Sequence, residues 1–311
     1  MDFITIAKTR CSIRSYTDKK VEPEKLEKIL EAAHVAPTAA NLQPVHLITV
    51  QSEDGLAKIG KATNIYGAPL ATVSRYCQDA PWFRVFFTGA NPFVLTTDKL
   101  KTLAQMVKKY CPNYSSIGCF GRITDVTNKT VDELKELRAL GYNGLTFGVE
   151  TGDDKALAFM NKGFRASDVL EQCRKLEAAG ISYNFFYLTG ISGTGRGEIG
   201  AKASAELFNQ LHPQIIESSM LTIYKTSELY QEIQRGNWKE EGEIEKLAEL
   251  KALVENLSID TRIVTDGASN LIQVRGHLPA DKEKLVEYLN HLIETADEAA
   301  LREYRVNLRH L

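Results

Sequence analysis

Polar residues follow several short apolar segments in the C-terminal two thirds of the chain. Gly144–Val149 is an apolar run bounded by glycine, which predicts a strand buried on both faces, and Glu150 follows it directly. Arg122, Gly89–Asn91 and Thr189–Gly190 each follow another such run. Because parallel α/β folds bind ligands at the carboxyl ends of their strands, we expect these groups to share one face. A cation, a carboxylate and bare backbone groups suit a zwitterionic ligand that carries a ribose.

Two simpler interpretations of these residues stay open. Glu150 lies between a predicted strand and the next helix, where a carboxylate can cap the helix. Alternatively, Arg122 and Glu150 pair with each other as a structural ion pair. Neither alternative would require a ligand.

A second polar group lies near the N-terminus. Arg10 and Arg14 flank Ser12 in an extended segment, and their guanidinium groups offer the fixed charge and forked donors that a phosphate needs. Asn41 and Gln43 can donate to and accept from a ring with two polar edges. The alternative interpretation is a pair of surface arginines and a polar turn.

The cysteines form no metal-binding pattern. The five are Cys11, Cys77, Cys111, Cys119 and Cys173, and neither CxxC nor CxxxCxxC occurs. An odd number of cysteines without a signal peptide favours reduced thiols. The nearest pair, Cys111 and Cys119, spans a helix end and a strand, so the sequence predicts no metal site there.

Composition limits the class of protein. The chain has 311 residues, with 38 basic and 40 acidic side chains, and no basic stripe interleaved with aromatics, which argues against nucleic acid as a partner. No apolar run approaches the roughly 20 residues that span a bilayer. The N-terminal residues lack the apolar core of a signal peptide, so the sequence predicts a cytoplasmic protein without membrane partners.

Apolar periodicity predicts five or six βα units in series. The predicted strands are Trp82–Thr88, Ser116–Phe120, Gly144–Val149, Ile181–Leu188, Ile215–Leu221 and Thr261–Val264. The predicted helices are Pro23–Ala33, Thr97–Lys109, Val131–Leu140, Arg165–Ala179, Gly200–Leu211, Glu228–Arg235, Glu243–Asn256, Lys282–Thr295 and Ala299–Asn307.

This order favours an α/β fold with a partial TIM-type (β/α) barrel of parallel strands; an open doubly wound sheet is the alternative. The glycine-rich run Gly190–Gly195 lacks the Lys-Ser/Thr of a phosphate-binding loop. We interpret it as a loop that a ligand or another backbone segment approaches closely.

The N-terminal segment RCSIRSYTDKKVEPEKLEKILEAAHVAPTAANLQPVHLITV resembles the first part of the nitroreductase family of flavoenzymes. The resemblance rests on the R-x-S-x-R and P-S/T-x-x-N-x-Q-P motifs. It implies that Arg10, Ser12 and Arg14 contact the phosphate and ribityl side of FMN, and that Asn41 and Gln43 contact the flavin. Because the family completes this site with a longer C-terminal part and across a dimer, the resemblance implies FMN binding through a homodimer.

Later segments resemble the radical S-adenosylmethionine (radical SAM) superfamily, above all its Elp3/MiaB/NifB-like barrels. These segments are FFTGANPFVLTTDKL, IGCFGRITDV, GLTFGVETGDDKALAFMNKG, FFYLTGISGTG and LTIYKTSELYQEI, in the family's order from about residue 75 onward. The resemblance implies that Gly89 and Asn91 lie in the segment that contacts the SAM amino group. It places Arg122 and Glu150 at the ribose or carboxylate, and it implies adenine contacts at Leu188 and Gly190.

One part of the family pattern does not occur in this chain. Family members hold a 4Fe–4S cluster with CxxxCxxC after their first strand, and this strand and its loop have no counterpart here. Three converging thiolates are needed to hold the cluster, so the resemblance implies SAM and a 4Fe–4S cluster as cofactors whose cluster ligands are absent.

We therefore interpret the chain as a fusion of two incomplete enzyme pieces. Residues 1–71 form a nitroreductase-like, α+β FMN-binding fragment, 72–84 a junction, and 85–311 a radical-SAM-like barrel with a residual SAM cleft. The alternatives are an FMN-dependent oxidoreductase of the nitroreductase type, completed by dimerisation, and a non-catalytic binding protein. Because a barrel short of one strand exposes two edges, we expect Val45–Gln51 to lie beside Trp82–Thr88 or to be loosely docked.

Overall fold

The computed structural model describes residues 21–34, 83–88 and 91–307. The chain divides into two compact units, Met1–Gly67 and Ala68–Leu311. In the first unit, the described part is helix α1, Pro23–His34, which begins with proline and carries Glu24 in its first turn. Proline is well suited to the first helical position because no hydrogen bond is lost there.

The second unit is built on a seven-stranded sheet whose strands follow one another in chain order. The strands are β1 Phe83–Phe87, β2 Tyr114–Gly121, β3 Leu145–Glu150, β4 Tyr183–Thr189, β5 Ile215–Met220, β6 Thr261–Val264 and β7 Arg275–Leu278. Strands β1 to β6 pair in parallel, whereas β7 pairs with β6 antiparallel.

Helices connect the parallel strands. In chain order they are α2 Thr97–Tyr110, α3 Ile123–Thr127, α4 Val131–Ala139, α5 Asp154–Phe159, α6 Ala166–Ala178, α7 Gly197–Phe208, α8 Glu228–Gln234 and α9 Glu243–Asn256. Two more helices, α10 Lys282–Thr295 and α11 Glu298–Val306, follow β7.

This topology confirms the α/β fold class and the partial (β/α) barrel. A doubly wound sheet would reverse its strand order at a switch point, whereas the described strands keep one direction of progression. Successive right-handed crossovers of this kind place their helices on the same face of the sheet. The other face of the sheet is left open to line the inside of the barrel.

The core lies between the sheet and its helices. On β4, Tyr183, Phe185 and Tyr187 are buried, while the residues between them are half-buried. The Phe185 ring packs on Phe208 of α7 with centroids 5.0 Å apart. Burial on both faces, as predicted for Gly144–Val149, holds except at Gly148, which is half-buried on the open face. Glu150, which follows this run, is also half-buried.

Three elements were not predicted from the sequence. Strand β7 is short, and helices α3 and α5 have only five and six residues. Local hydrogen bonds start the helices: the Arg122 backbone N–H donates to Asp125 of α3, and Asp153 accepts from the Lys155 N–H of α5. Helices this short span fewer than two turns, so they show no repeating apolar period, and no pattern indicated them.

The predicted neighbour of β1, Val45–Gln51, lies outside the described residues, and its pairing stays a prediction. Across the described part of the chain, no helix combines the length and apolar character needed to cross a membrane.

Candidate SAM-binding cleft

A cleft of about 420 Å³ opens at the carboxyl ends of β2 and β3. Its lining is formed by Phe120, Gly121, Arg122, Thr146, Gly148, Glu150, Asn161, Lys162, Phe164 and Phe186. Arg122 and Glu150, expected on one face from their positions after two strands, therefore line the same cleft. This is the edge of a parallel sheet where α/β proteins bind ligands.

The Glu150 backbone has an uncommon conformation. Its φ is +69°, in the left-handed region, and the register between β3 and β4 shifts between Gly148 and Glu150. Left-handed backbone is disfavoured for a residue with a Cβ atom, and bulges often redirect side chains beside functional sites. The bulge turns the half-buried Glu150 carboxylate into the cleft, where Oε1 lies 3.1 Å from Lys162 Nζ.

Lys162 joins the two residues that the sequence singled out. The Arg122 guanidinium donates to the Lys162 carbonyl over 3.0 Å, while the Lys162 ammonium pairs with Glu150. The predicted direct ion pair between Arg122 and Glu150 is therefore wrong. The cleft carries two cations and one carboxylate, which leaves one positive charge available to an anionic group.

Sequence reasoning missed Lys162, although a local signal was present. Asn161-Lys162-Gly163 follows α5, and both Asn161 and Gly163 have positive φ angles, of +50° and +76°. Asparagine and glycine adopt this conformation readily, so the pair predicts a tight turn that returns the chain towards the sheet. The turn places Lys162 over the end of β3.

Helix capping does not explain Glu150. Asp153, three residues further on, accepts the backbone N–H of Lys155 at the start of α5 over 3.0 Å. The capping interpretation of Glu150 is therefore wrong, and its carboxylate remains available within the cleft.

The other expected SAM contacts are spread along the same edge of the sheet. Asn91 follows β1, and its Oδ1 atom is buried without a hydrogen-bond partner within the described residues. A buried acceptor of this kind fits an ammonium donor. Gly89 lies outside the described residues. Leu188 is half-buried on the open face of β4, and neither it nor Gly190 lines the cleft.

Gly190 begins the glycine-rich loop Gly190–Gly195. The sequence predicted that a ligand or another backbone segment approaches this loop closely, and in the structure another segment of the chain does so. A Cβ atom on Gly193 would lie 2.8 Å from the Trp238 ring nitrogen, and the Thr194 N–H donates to the Lys239 carbonyl over 3.0 Å. The close approach therefore comes from the protein's own backbone. It holds this end of β4 in place.

Buried carboxyl groups support the same end of β4. Glu249 of α9 accepts the Gly190 N–H over 2.6 Å and the Tyr187 hydroxyl. Burial raises the pKa of Glu249, while its hydrogen bonds from the Tyr187 hydroxyl and the Gly190 N–H act in the opposite direction. Burial and the Glu249 charge raise the pKa of neighbouring Glu241. Both carboxyl groups therefore stay protonated to a higher pH than ordinary glutamates do. No feature of the sequence indicated these shifts.

The described cysteines do not fit a 4Fe–4S cluster. Cys111, Cys119 and Cys173 are buried in the core, and burial raises the pKa of Cys119 to about 12 and that of Cys173 well above its usual value. Cluster ligation requires three converging thiolates. No group of three metal-ligating side chains comes together in the described ranges. Cys11 and Cys77 lie outside them.

The expected FMN contacts cannot be placed in this fold. Arg10, Ser12, Arg14, Asn41 and Gln43 all lie outside the described residues. Their assignment stays a prediction.

Comparison with known proteins confirms both family resemblances. The model of the nitroreductase family matches residues 7–105, and that of the radical SAM superfamily matches residues 69–201. Both models match residues 69–105, so the position of the junction stays a prediction.

Two curated relatives represent the two segments. FMN reductase (NAD(P)H) of Bacillus subtilis is 39% identical over 80 residues, which cover 26% of this chain and 29% of that protein. Heme chaperone HemW of the same organism is 26% identical over 106 residues, covering 33% of this chain and 28% of that protein. The chain thus spans less than a third of the length of either relative.

Among solved structures, an N-terminally truncated Elp3 of Methanocaldococcus infernus is similar to this chain with a TM-score of 0.49. It is 15% identical in sequence, and the similarity covers 76% of this chain and 57% of that chain.

Proposed function

We propose that this chain, which joins a nitroreductase-family segment to a radical SAM superfamily segment, binds S-adenosylmethionine in the cleft at Glu150 without cleaving it. The observation that carries the proposal is the left-handed Glu150 backbone, which directs a carboxylate towards Lys162 inside the cleft. Strained backbone of this kind persists where surrounding structure holds it, and it concentrates at ligand sites.

Each side chain of the cleft has a role that suits part of SAM. Lys162 and Arg122 provide cations for the α-carboxylate, since guanidinium and ammonium groups bind carboxylates strongly. Glu150 can accept hydrogen bonds from the ribose hydroxyls. The buried Asn91 Oδ1 can accept from the amino group. Leu188 and Gly190, at the end of β4, would lie against the adenine.

The proposal excludes cleavage of SAM because the sequence lacks the cysteine motif that holds a 4Fe–4S cluster. The cleft itself suits SAM. In this superfamily, a reduced 4Fe–4S cluster supplies the electron that cleaves SAM. The described cysteines are buried, protonated thiols, and the full sequence contains no CxxxCxxC. We therefore propose a SAM-binding protein with no radical chemistry of its own.

Isothermal titration calorimetry with SAM tests the binding proposal. The chain is expected to bind one SAM, and Glu150→Ala is expected to weaken binding about tenfold or more, because it removes an acceptor and leaves Lys162 unpaired in the cleft. Glu171→Ala, on the exposed side of α6, removes the same side chain elsewhere and should leave affinity unchanged. Equal affinity of all three proteins, or no binding by the wild type, would contradict the proposal.

Anaerobic reconstitution with iron and sulfide tests the second half of the proposal. The expected product shows no stoichiometric 4Fe–4S absorption, since the thiolate ligands are missing. One cluster per chain would overturn the claim that SAM is bound intact, even if the cleft binds SAM as proposed.

A second candidate function is favoured by the nitroreductase match over residues 7–105. Arg10, Ser12 and Arg14 would hold the FMN phosphate and ribityl chain, with Asn41 and Gln43 at the flavin, and a second copy of the chain would complete the site. Purification of a yellow, dimeric protein that loses its flavin on Arg14→Ala would support this candidate. A colourless monomer that does not take up added FMN would count against it.

A further inference from the structure

Three phenyl rings form a continuous surface on the open face of the sheet, which we call the aromatic floor: Phe86, Phe120 and Phe186. Phe86 and Phe120 meet edge to face with centroids 4.9 Å apart, and Phe120 and Phe186 lie 6.0 Å apart. Phe86 is 40% exposed, and the other two rings are half-buried. Exposed neighbouring rings of this kind mark a ligand surface more often than a stable surface patch.

Glycines lie beside the rings of the aromatic floor on the neighbouring strands. Gly118 lies opposite Phe86 in the register, and a Cβ atom there would lie 2.7 Å from the Phe86 ring. Gly148 of β3 lies opposite Phe186, between the strands that carry Phe120 and Phe186. The rings of Phe120 and Phe186 meet above β3, where Gly148 carries no side chain.

A carboxylate borders the aromatic floor. Glu217 of β5 is the register partner of Phe186, so the two side chains share a face and are adjacent. Within the described part of the chain, Glu217 has neither an ion pair nor a hydrogen bond. Burial and the Asp266 charge raise the pKa of Glu217, while Asp266 itself pairs with Arg275 over 2.7 Å.

No cation in the described part of this face pairs with Glu217. Lys162 pairs with Glu150, Arg122 donates to the Lys162 carbonyl, and Arg84 of β1 donates to the Asn143 carbonyl over 3.3 Å. Arg262 is the register partner of Ile215, which lies two residues before Glu217 on β5. The part of the open face nearest the cleft therefore combines π-faces with an unpaired carboxylate.

The geometry points to a second ligand site on this face, for a planar aromatic ring that carries positive charge, stacked on Phe120 and Phe186 with its charged edge at Glu217. Aromatic faces attract both flat rings and cations, and a partly desolvated carboxylate adds to the attraction. Phe120 and Phe186 also line the SAM cleft, so this ligand would lie next to SAM. The inference deepens the proposed function and rests on it, since it assigns the class of a second ligand that would lie beside SAM.

Proflavine, a flat tricyclic cation whose fluorescence reports stacking, is a suitable probe. It is expected to bind the wild-type protein saturably and together with SAM, whereas acridine-9-carboxylate, an anion of similar size, should bind at least tenfold more weakly. Glu217→Gln and Phe186→Ala should each weaken proflavine binding about tenfold, because each removes one of the two attractions. Tyr288→Ala, which removes an exposed ring on α10, is the matched control and should change nothing.

Phe186→Leu tests whether weaker binding reflects misfolding, because leucine keeps most of the apolar volume and removes only the aromatic ring. Weakened proflavine binding by Phe186→Leu with unchanged thermal unfolding would support the site. Equal binding of both acridines, or equal proflavine binding by Glu217→Gln and wild type, would overturn it. Calorimetry with SAM on the same variants separates the proposals: SAM binding without proflavine binding overturns only the ring site, and loss of SAM binding by wild type overturns the proposed function.

Discussion

At the residue scale, Glu150 combines a backbone cost with a role for its side chain. A φ of +69° disfavours any residue with a Cβ atom by roughly 1–2 kcal/mol relative to the right-handed region. The neighbouring Gly148 leaves room for the carboxylate, since a Cβ atom there would lie 2.6 Å from Glu150 Oε1. The left-handed backbone at Glu150 therefore lowers local stability and directs the carboxylate into the cleft.

At Glu150, glycine is expected to give a more stable protein than alanine, the reverse of the usual order. Glu150→Gly should be more stable than Glu150→Ala by about 1 kcal/mol, because glycine adopts the left-handed conformation without strain. Both variants lose the Lys162 partner, so that loss cancels in the comparison. Urea unfolding of the two proteins measures the difference.

The same pair of substitutions at Glu171, within helix α6, provides the control. There Gly should be less stable than Ala by about 1 kcal/mol, since glycine is a poor helix former. A Glu150→Gly protein less stable than Glu150→Ala would show that the left-handed backbone does not govern this position.

At the element scale, helix α11 is held against α9 by charge. Arg305 is buried and donates to Glu243 over 2.8 Å, to Glu240 and to the Leu221 carbonyl. Glu298 accepts the Glu243 and Ile244 backbone N–H groups, which completes the start of α9. Burial opposes ionisation of Glu240, yet its hydrogen bond from Arg302 and the charges of its partners lower its pKa to about 2.

Removal of Arg305 is expected to destabilise the protein strongly. Arg305→Ala leaves the fully buried Glu243 carboxylate with fewer partners, and a broken buried ion pair typically costs about 3–5 kcal/mol. Glu303→Ala, on the exposed side of the same helix, should change stability by less than about 0.5 kcal/mol. Chemical unfolding of both variants measures the contrast, and similar values would show that α11 is not anchored by charge.

At the scale of the whole molecule, protonation of buried acids links folding to pH. Burial raises the pKa values of both Glu241 and Glu249 above the usual 4.5, and the charge of Glu249 raises the pKa of Glu241 further. Glu245 and Lys246 are the other charged groups that influence Glu241, and Lys246 opposes the shift. The folded protein therefore binds protons that the unfolded chain releases.

Stability is consequently expected to fall as the pH rises above about 4.5. The contribution of these two acids is complete below that value, because both states are then protonated, and it is lost as the pH rises towards their folded pKa values. The free energy of unfolding should decrease by up to about 1.4 kcal/mol per pH unit for each proton held only by the folded state. Urea unfolding between about pH 5 and pH 8 measures the slope.

Glu241→Gln is the matched variant for this experiment. The amide is neutral in both states, so the slope should become shallower and the protein should gain stability at pH 8 relative to wild type. An unchanged slope would show that Glu241 is not a proton-holding site. Acid unfolding is a separate effect with the opposite sign, since Glu240 loses its stabilising charge as the pH falls towards about 2.

Much of the fold could be predicted from local pattern. The predicted bounds of α9, β6 and α10 agree with the structure. Other bounds shift by a few residues, as at α7, which begins at Gly197 rather than Gly200. Most strands and helices carry their own apolar periodicity, whereas strand β7 (RGHL) and the short helices α3 and α5 do not.

The sequence by itself determined the order of the βα units, the two family segments, the lack of a cluster motif and the arrival of Arg122 and Glu150 at one edge of the sheet. Only the tertiary structure decided what those residues contact. Lys162 became the partner of Glu150, the phenyl rings of β1, β2 and β4 came together, and Glu241 and Glu249 became buried acids. The apolar periodicity of a segment indicates which of its residues are buried. Ion pairs and ring contacts depend instead on strands and turns that are far apart in the chain, and no local pattern encodes them.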